Sequence, residues 1–128
     1  METIENNANI SVALKEYLDA IYNISKEKSS VRTTDIARRL GISKPSVNRA
    51  VTTLKAKGLV LHEPYGAVIL TDKGRELSEY TGNKNKTIKR FLVTVLNLSD
   101  DEAEKEACSI GRTMSYGTVE KMISYMEP

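Results

Sequence analysis

The segment from Ser43 to Arg49 carries the side chains best suited to hydrogen bonding with a polar partner. Asparagine can pair with the edge of adenine and arginine can pair bidentately with guanine, so Asn48 and Arg49 are candidates for reading bases. Ser43 is a favourable helix N-cap and Pro45 is tolerated in a first helical turn, which predicts that a helix begins here. A helix end that is small, polar and basic fits the major groove of duplex DNA. The predicted base-contacting set is Ser43, Lys44, Pro45, Ser46, Asn48 and Arg49.

A second group of side chains is suited to contacts with phosphate. Thr33 and Thr34 precede a short apolar-periodic stretch, where their hydroxyl and backbone N–H groups would lie at a helix N-terminus that favours anions. Lys55 and Lys57 follow the base-reading segment, and Tyr65 lies in a turn between two apolar runs. These five residues are therefore predicted to contact the DNA backbone.

The charge distribution favours a polyanionic partner. The net charge is only +2, yet residues 31–90 hold 13 Lys and Arg against 5 Asp and Glu, a net charge of +8. Residues 1–30 and 91–128 carry net charges of −2 and −4. Neutralising phosphates requires a local concentration of basic side chains, which the middle block supplies. The ordinary alternative is a solvated face whose lysines and arginines serve solubility alone.

Length and composition limit the class of protein. The chain has 128 residues, 40% hydrophobic and 28% charged, which is typical of one soluble globular domain or of a small domain with an oligomerisation segment. No apolar run approaches the roughly 20 residues that a bilayer requires. A lone Cys108 and the absence of a basic-then-apolar leader predict a cytoplasmic protein. No Ser/His/Asp, Cys/His or glycine-rich phosphate-binding arrangement is evident, so an enzyme is not expected.

Helices dominate the N-terminal half. Helical spacing of apolar residues predicts an amphipathic helix over residues 11–26, then a short helix over residues 35–40 that Thr33 or Thr34 caps. A third helix follows Ser43. Its predicted buried face consists of Val47, Ala50, Val51 and Leu54.

Two β-branched and aliphatic runs, residues 59–63 and 67–70, predict a β-hairpin. Three helices followed by a hairpin, with a tight turn between the second and third helices, is the order of a winged helix-turn-helix. The predicted fold is therefore mainly α with a small β-hairpin, and the DNA-binding winged-helix domain occupies residues 1–73.

An all-helical dimerisation domain is predicted for residues 74–128. Its first helix is weakened in the middle by Gly82 and Asn83, and Ser99 begins a Ser-x-x-Glu capping box before the next. A short helix follows Ser115. Because so small a domain cannot bury these apolar stripes alone, the chain is expected to form a homodimer.

Three sequence strings resemble the diphtheria toxin repressor and manganese transport regulator family of metal-dependent repressors. They are TDIARRL at residues 34–40, SKPSV at residues 43–47 and LTDKG at residues 70–74. The resemblance extends from Ser11 to Met126 and implies the short two-domain form, a winged-helix domain followed by a helical dimerisation domain.

The resemblance also implies a divalent transition metal, manganese or iron, between the first helix and the dimerisation domain. Glu16 and Asp19 fall where that family has acidic ligands, and their spacing places both on one helical face. Cys108 falls where iron-type members have a cysteine. The ordinary structural explanations are an exposed face for Glu16 and Asp19, and a small buried hydrophobe for Cys108.

Three positions depart from the ligand set that the resemblance implies. Asn85 stands where a histidine is expected, and Gly111 and Arg112 stand where a glutamate and a histidine are expected. Glycine has no ligating side chain and arginine is a fixed cation, so the sequence leaves two alternatives open, a divalent transition metal and no cofactor at all. We hypothesise that Arg112 pairs with Asp19 or Glu16 and replaces the charge of the metal. Stoichiometric binding of manganese or iron(II) in a calorimetric titration would contradict this hypothesis.

The sequence thus predicts a homodimeric winged-helix regulator, a repressor of transcription, that binds a palindromic double-stranded operator. Two alternatives stay open at this stage. One is a winged-helix repressor that responds to a small molecule, and the other is a protein-interaction module that does not bind DNA. Metal titration, compared with ligand-induced shifts in melting temperature, distinguishes a metal-dependent repressor from one that responds to a small molecule. The salt dependence of binding to random duplex distinguishes a DNA-binding protein from a protein-interaction module, because steep dependence is expected only where phosphates are bound.

Overall fold

The computed structural model describes residues 10–127. These residues fold into two compact units, 10–78 and 79–127. The helices and strands are α1 (Val12–Glu27), α2 (Thr33–Leu40), α3 (Lys44–Ala56), β1 (Val60–His62), β2 (Val68–Leu70), α4 (Asp72–Thr94), α5 (Asp100–Gly111) and α6 (Tyr116–Met126). No helix within residues 10–127 is both long and apolar enough to cross a membrane.

Helix α3 has the N-terminus and the buried face that the sequence predicts. The hydroxyl oxygen of Ser43 accepts the backbone N–H of Ser46 at 3.3 Å, and Pro45 lies in the first turn, where no N–H donor is needed. The turn before α3 begins at Gly41, whose φ of 66° is the left-handed conformation that glycine adopts without strain. The buried side chains of the helix are Val47, Ala50, Val51 and Leu54.

The cap of α2 differs from the prediction. The helix begins at Thr33 with Arg32 at the N-cap, so neither Thr33 nor Thr34 caps it, and both lie in its first turn. The carboxylate of Asp35 instead accepts the backbone N–H of Arg32 at 2.9 Å. An acidic side chain at the third helical position can reach back to the N-cap N–H, whereas the hydroxyl cap that the sequence suggests would accept an N–H of the first turn.

The predicted hairpin is present with shorter strands. Strands β1 and β2 are antiparallel, and Leu61 lies opposite Ile69 in their register. The backbone N–H of Val68 also donates to Val31 at 2.7 Å, which joins the segment before α2 to the outer edge of the hairpin. Leu61 and Ile69 are exposed on one face of the hairpin. On the other face, Val60, Val68 and Leu70 are buried and His62 is half-buried.

In the second unit, α4 continues through Gly82 and Asn83 without a break, so the predicted weak point does not interrupt it. Buried side chains one turn apart, Tyr80, Lys84 and Ile88, flank this stretch and offset the low helix propensity of glycine. Ser99 and Ser115 cap α5 and α6. The apolar core of the unit consists of Ile88, Leu92, Ala103, Ala107 and Val119.

Candidate nucleic-acid interface

The N-terminal end of α3 presents a small network of polar side chains. The hydroxyl of Ser43 donates to the hydroxyl oxygen of Ser46 at 3.0 Å, and the Nη2 group of Arg49 donates to the same Ser46 oxygen at 3.1 Å. This bond holds the guanidinium over the first turn, where the remaining N–H donors of its fork are left for a partner. Asn48 is exposed beside it. Lys44 and Pro45 are exposed as well, so the structure presents the whole predicted base-contacting set at one helix end.

Charged side chains surround the N-terminus of α2. Thr34 is exposed and Thr33 is half-buried. The backbone N–H of Arg32 and the ammonium of Lys28, 3.0 Å from the Asp35 carboxylate, hold the pKa of Asp35 below its usual value. Asp35 therefore stays charged at neutral pH and fixes the loop that leads into the helix.

The lowered pKa of Asp35 predicts an acid-sensitive winged-helix unit. A carboxylate with a depressed folded-state pKa contributes stability above its unfolded pKa of about 3.9, and this contribution is lost as the pH falls through the folded-state pKa. Asp35→Asn should therefore be less stable than the wild type at pH 7, and the difference should shrink below about pH 4. Urea unfolding across this pH range measures the effect, and a constant difference at every pH would contradict it.

The tip of the hairpin is held by a side chain that the sequence analysis missed. Nη1 of Arg32 donates to the backbone carbonyl of Tyr65 at 2.7 Å. Tyr65 has a φ of 61°, in the left-handed region, and its side chain is 100% exposed. The N–H of Gly66 donates to the carbonyl of Glu63 at 2.8 Å and closes the turn. Arg32 thus connects the N-terminus of α2 to the wing tip. The one sequence signal that could have suggested this role is the position of Arg32 directly before a predicted helix.

Replacing Arg32 should weaken DNA binding by releasing the wing tip. We expect Arg32→Gln to lower the affinity about three- to tenfold, the effect of losing one hydrogen bond of moderate net strength. Arg38→Gln is the matched control, because Arg38 is also an arginine of this region but is highly exposed, with one long contact to Asp35. Fluorescence anisotropy at several salt concentrations measures both variants. A salt slope lowered by about 1 for Arg32→Gln would show a phosphate contact instead of a positioning role.

The remaining predicted backbone contacts lie on the same unit. The ammonium of Lys55 donates to the backbone carbonyl of His62 in β1 at 2.9 Å, so it also ties α3 to the wing. Lys57 is half-buried at the C-cap of α3. Their contacts with phosphate stay predictions.

The predicted metal-ligand positions are divided between the two units. In the first unit, Glu16 is exposed and Asp19 is half-buried on α1. In the second, Cys108 is half-buried on α5, and Arg112 is half-buried at the C-cap of that helix. The pairing of Arg112 with Glu16 or Asp19 stays a prediction.

Asn85 and Gly111 are in direct contact within the second unit. The carboxamide of Asn85 lies over the α-carbon of Gly111, so a β-carbon at position 111 would overlap Oδ1 and Cγ of Asn85. Oδ1 of Asn85 is buried and accepts no hydrogen bond. At these two positions, the Asn85 amide therefore packs directly against the backbone of Gly111.

Comparison with known proteins assigns both halves of the chain. Residues 10–68 match the iron dependent repressor N-terminal DNA-binding domain, and residues 71–128 match the metal-binding and dimerisation domain of the same family. An uncharacterised HTH-type transcriptional regulator of Methanocaldococcus jannaschii, MJ0568, is 35% identical over 92% of this chain and 95% of its own length. The chain belongs to the iron-dependent repressor family. This is a family of DNA-binding transcriptional regulators and not of enzymes, as the sequence predicts.

Other proteins are similar to this chain in sequence, in structure or in both. The transcriptional regulator MntR of Escherichia coli is 28% identical over 84% of this chain and 68% of its own length. The structure of the manganese regulator SloR superposes with a TM-score of 0.74 at 30% identity, over 88% of this chain and 53% of that one. The chain therefore spans about half the length of the SloR structure. The hypothetical protein SSo2273 of Sulfolobus solfataricus, with a TM-score of 0.72 at 22% identity over 92% of this chain and 90% of its own, shares the fold.

The helical unit taken alone has few donors for the metal that its matching family domain is named for. No group of three or more His, Cys, Asp and Glu side chains that could hold a metal ion occurs within residues 10–127. Within residues 79–127, the non-exposed donors at the predicted ligand positions are one thiol and one buried carboxamide oxygen, which are too few and differ in metal preference. The helical unit by itself, residues 79–127, therefore does not supply the donors of a metal centre.

Proposed function

We propose that the chain binds an operator as a homodimer and represses transcription, with the N-terminal end of α3 in the major groove. The observation that supports this most directly is the Ser43–Ser46–Arg49 network, exposed within the segment that matches the family's DNA-binding domain. A helix N-terminus with donors fixed in advance loses less side-chain freedom when it meets base edges.

The second half of the proposal is the dimer. Residues 71–128 match a dimerisation domain, and apolar side chains outside the core of this unit, including Leu96 and Tyr125, are exposed. A two-fold dimer would place two α3 helices in successive major grooves, with half-sites roughly one helical turn apart, about 34–36 Å. The proposed domain boundary follows residue 73, and the proposed site of action is the cytoplasm.

Binding to DNA at graded salt concentrations tests this function. A random duplex and a duplex selected in vitro for binding are titrated by fluorescence anisotropy, and light scattering reports the mass of the free protein. We expect a dimer, tighter binding to the selected duplex, and a logarithmic salt slope on the order of −0.9 per neutralised phosphate. Binding to neither duplex at low salt would contradict the proposal and favour a protein-interaction module. Neither that module nor a small-molecule effector has support among the matching relatives.

A further inference from the structure

One cationic side chain of the helical unit, residues 79–127, is buried in the folded chain. Lys84 on α4 is 3% exposed, and it is the only charged residue buried among those that the structure describes. Its ammonium group donates to the backbone carbonyl of Met114 at 3.1 Å. A buried charge is costly unless polar groups compensate it, so its contacts are part of the architecture of the unit.

The contacts of Lys84 join three helices of the unit. Met114 lies between α5 and α6, so the hydrogen bond ties α4 to the connection that follows α5. The ammonium also lies 5.6 Å from the ring centroid of Tyr80, one turn earlier on α4. The Tyr80 ring in turn stacks on Tyr116 at the start of α6, with the centroids 5.6 Å apart. Lys84 therefore occupies the point where α4 meets both other helices.

The same unit offers little to a divalent cation. Every Asp and Glu between residues 79 and 127 is exposed, and Cys108 is the single residue of the metal-ligating types that is not. The carboxamide of Asn85 fills the space over Gly111, so no side chain from that position can enter. This unit therefore supplies to a divalent cation one half-buried thiol, one buried carboxamide oxygen and otherwise only exposed carboxylates.

From this disagreement with the family's metal-binding domain, we infer that the helical unit is held together by its own cation, Lys84, and binds no regulatory divalent metal. The regulator would then be competent to bind DNA without manganese or iron. The inference goes beyond the proposed function, because the metal content and the thermal stability of the protein test it in the absence of DNA.

The first test is metal content and thermal stability. The full chain is treated with EDTA, dialysed and unfolded by heat with and without an excess of MnCl₂, or of FeSO₄ under anaerobic conditions, and elemental analysis gives the metal stoichiometry. We expect less than one metal per ten chains, estimated from the missing ligand set, and no shift in Tm beyond about 1 °C. A site that binds at 100 times its Kd would shift the folding equilibrium about 100-fold, so stoichiometric metal with a Tm rise of several degrees would overturn the inference.

The second test is the role of Lys84. Lys84→Met keeps the length of the side chain but leaves the Met114 carbonyl without this donor, so we expect Tm to fall by roughly 5 °C or more, whatever metal is added. Lys86→Met is the matched control, because Lys86 is exposed on the same helix. Equal Tm values for the two variants would refute the role of Lys84.

DNA binding separates the inference from the proposed function. We expect affinities for the selected duplex that agree within about twofold in EDTA and in MnCl₂, because no metal is needed to form the unit. Binding that appears only with metal would overturn the inference and leave the proposed function intact. Absence of binding in both media would contradict the proposed function, while the metal content and Tm of the chain would still decide the inference.

Discussion

Replacing Gly74 with alanine is expected to lower the free energy of unfolding of the winged-helix unit by about 3 kcal/mol, at the upper end of the usual cost of overpacking. Gly74 lies in the first turn of α4, and a β-carbon there would overlap the backbone carbonyl of Leu59. That carbonyl is fixed, because it accepts the backbone N–H of Thr71 at 3.1 Å. The Thr71 hydroxyl also accepts the N–H of Gly74 at 3.0 Å, so the helix start cannot move away without losing hydrogen bonds. The glycine in the string LTDKG thus permits a helix to pack directly on the entry to the wing.

Urea unfolding followed by circular dichroism measures this effect, and Gly82→Ala is the matched control. Gly82 belongs to the same helix, but a β-carbon at this position meets no atom within 4 Å. Alanine should therefore stabilise the protein there by roughly 0.5–1 kcal/mol, the difference in helix propensity. Changes of the same sign at both positions would contradict the close-approach explanation.

Local sequence signals predict the parts of this fold whose structure is decided locally. The buried face of α3 follows from the spacing of its apolar residues, and the serine caps at Ser43, Ser99 and Ser115 follow from hydroxyl chemistry at helix starts. The same logic fails at α2, because Thr34 and Asp35 both offer capping chemistry and only the geometry of the loop decides between them.

Contacts distant in sequence are invisible to such signals. Arg32 and Tyr65 are 33 residues apart, and nothing in either local pattern indicates that a guanidinium holds the wing tip. Lys84 contributes to the +8 charge of residues 31–90, yet it is buried and cannot belong to a DNA-facing surface. A charge count locates a basic region, whereas exposure decides which of its side chains reach solvent. The local sequence also fails to predict that α4 continues through Gly82, because tertiary packing overrides the low helix propensity of glycine.

Arg49 is expected to provide the largest single contribution to base recognition. Arg49→Ala should weaken binding to the selected duplex by about 1–3 kcal/mol, and relax the preference at one base position, because a bidentate contact with guanine is lost. Its bond to Ser46, at 3.1 Å, keeps the guanidinium at the N-terminal end of α3, where the helix enters the groove. Binding to random duplex should change much less, since base contacts carry specificity and phosphate contacts carry most of the non-specific affinity.

Lys57→Ala is the control for Arg49→Ala, because Lys57 is predicted to contact phosphate and not a base. A lysine that contacts phosphate should weaken binding to selected and random duplex alike and reduce the salt slope by about 1. Competition titrations with single-base variants of the selected duplex locate the position that Arg49 reads. Equal losses on selected and random duplex for Arg49→Ala would assign Arg49 to the backbone. Base reading at this helix end would then rest on Asn48, an exposed side chain whose amide offers both a donor and an acceptor.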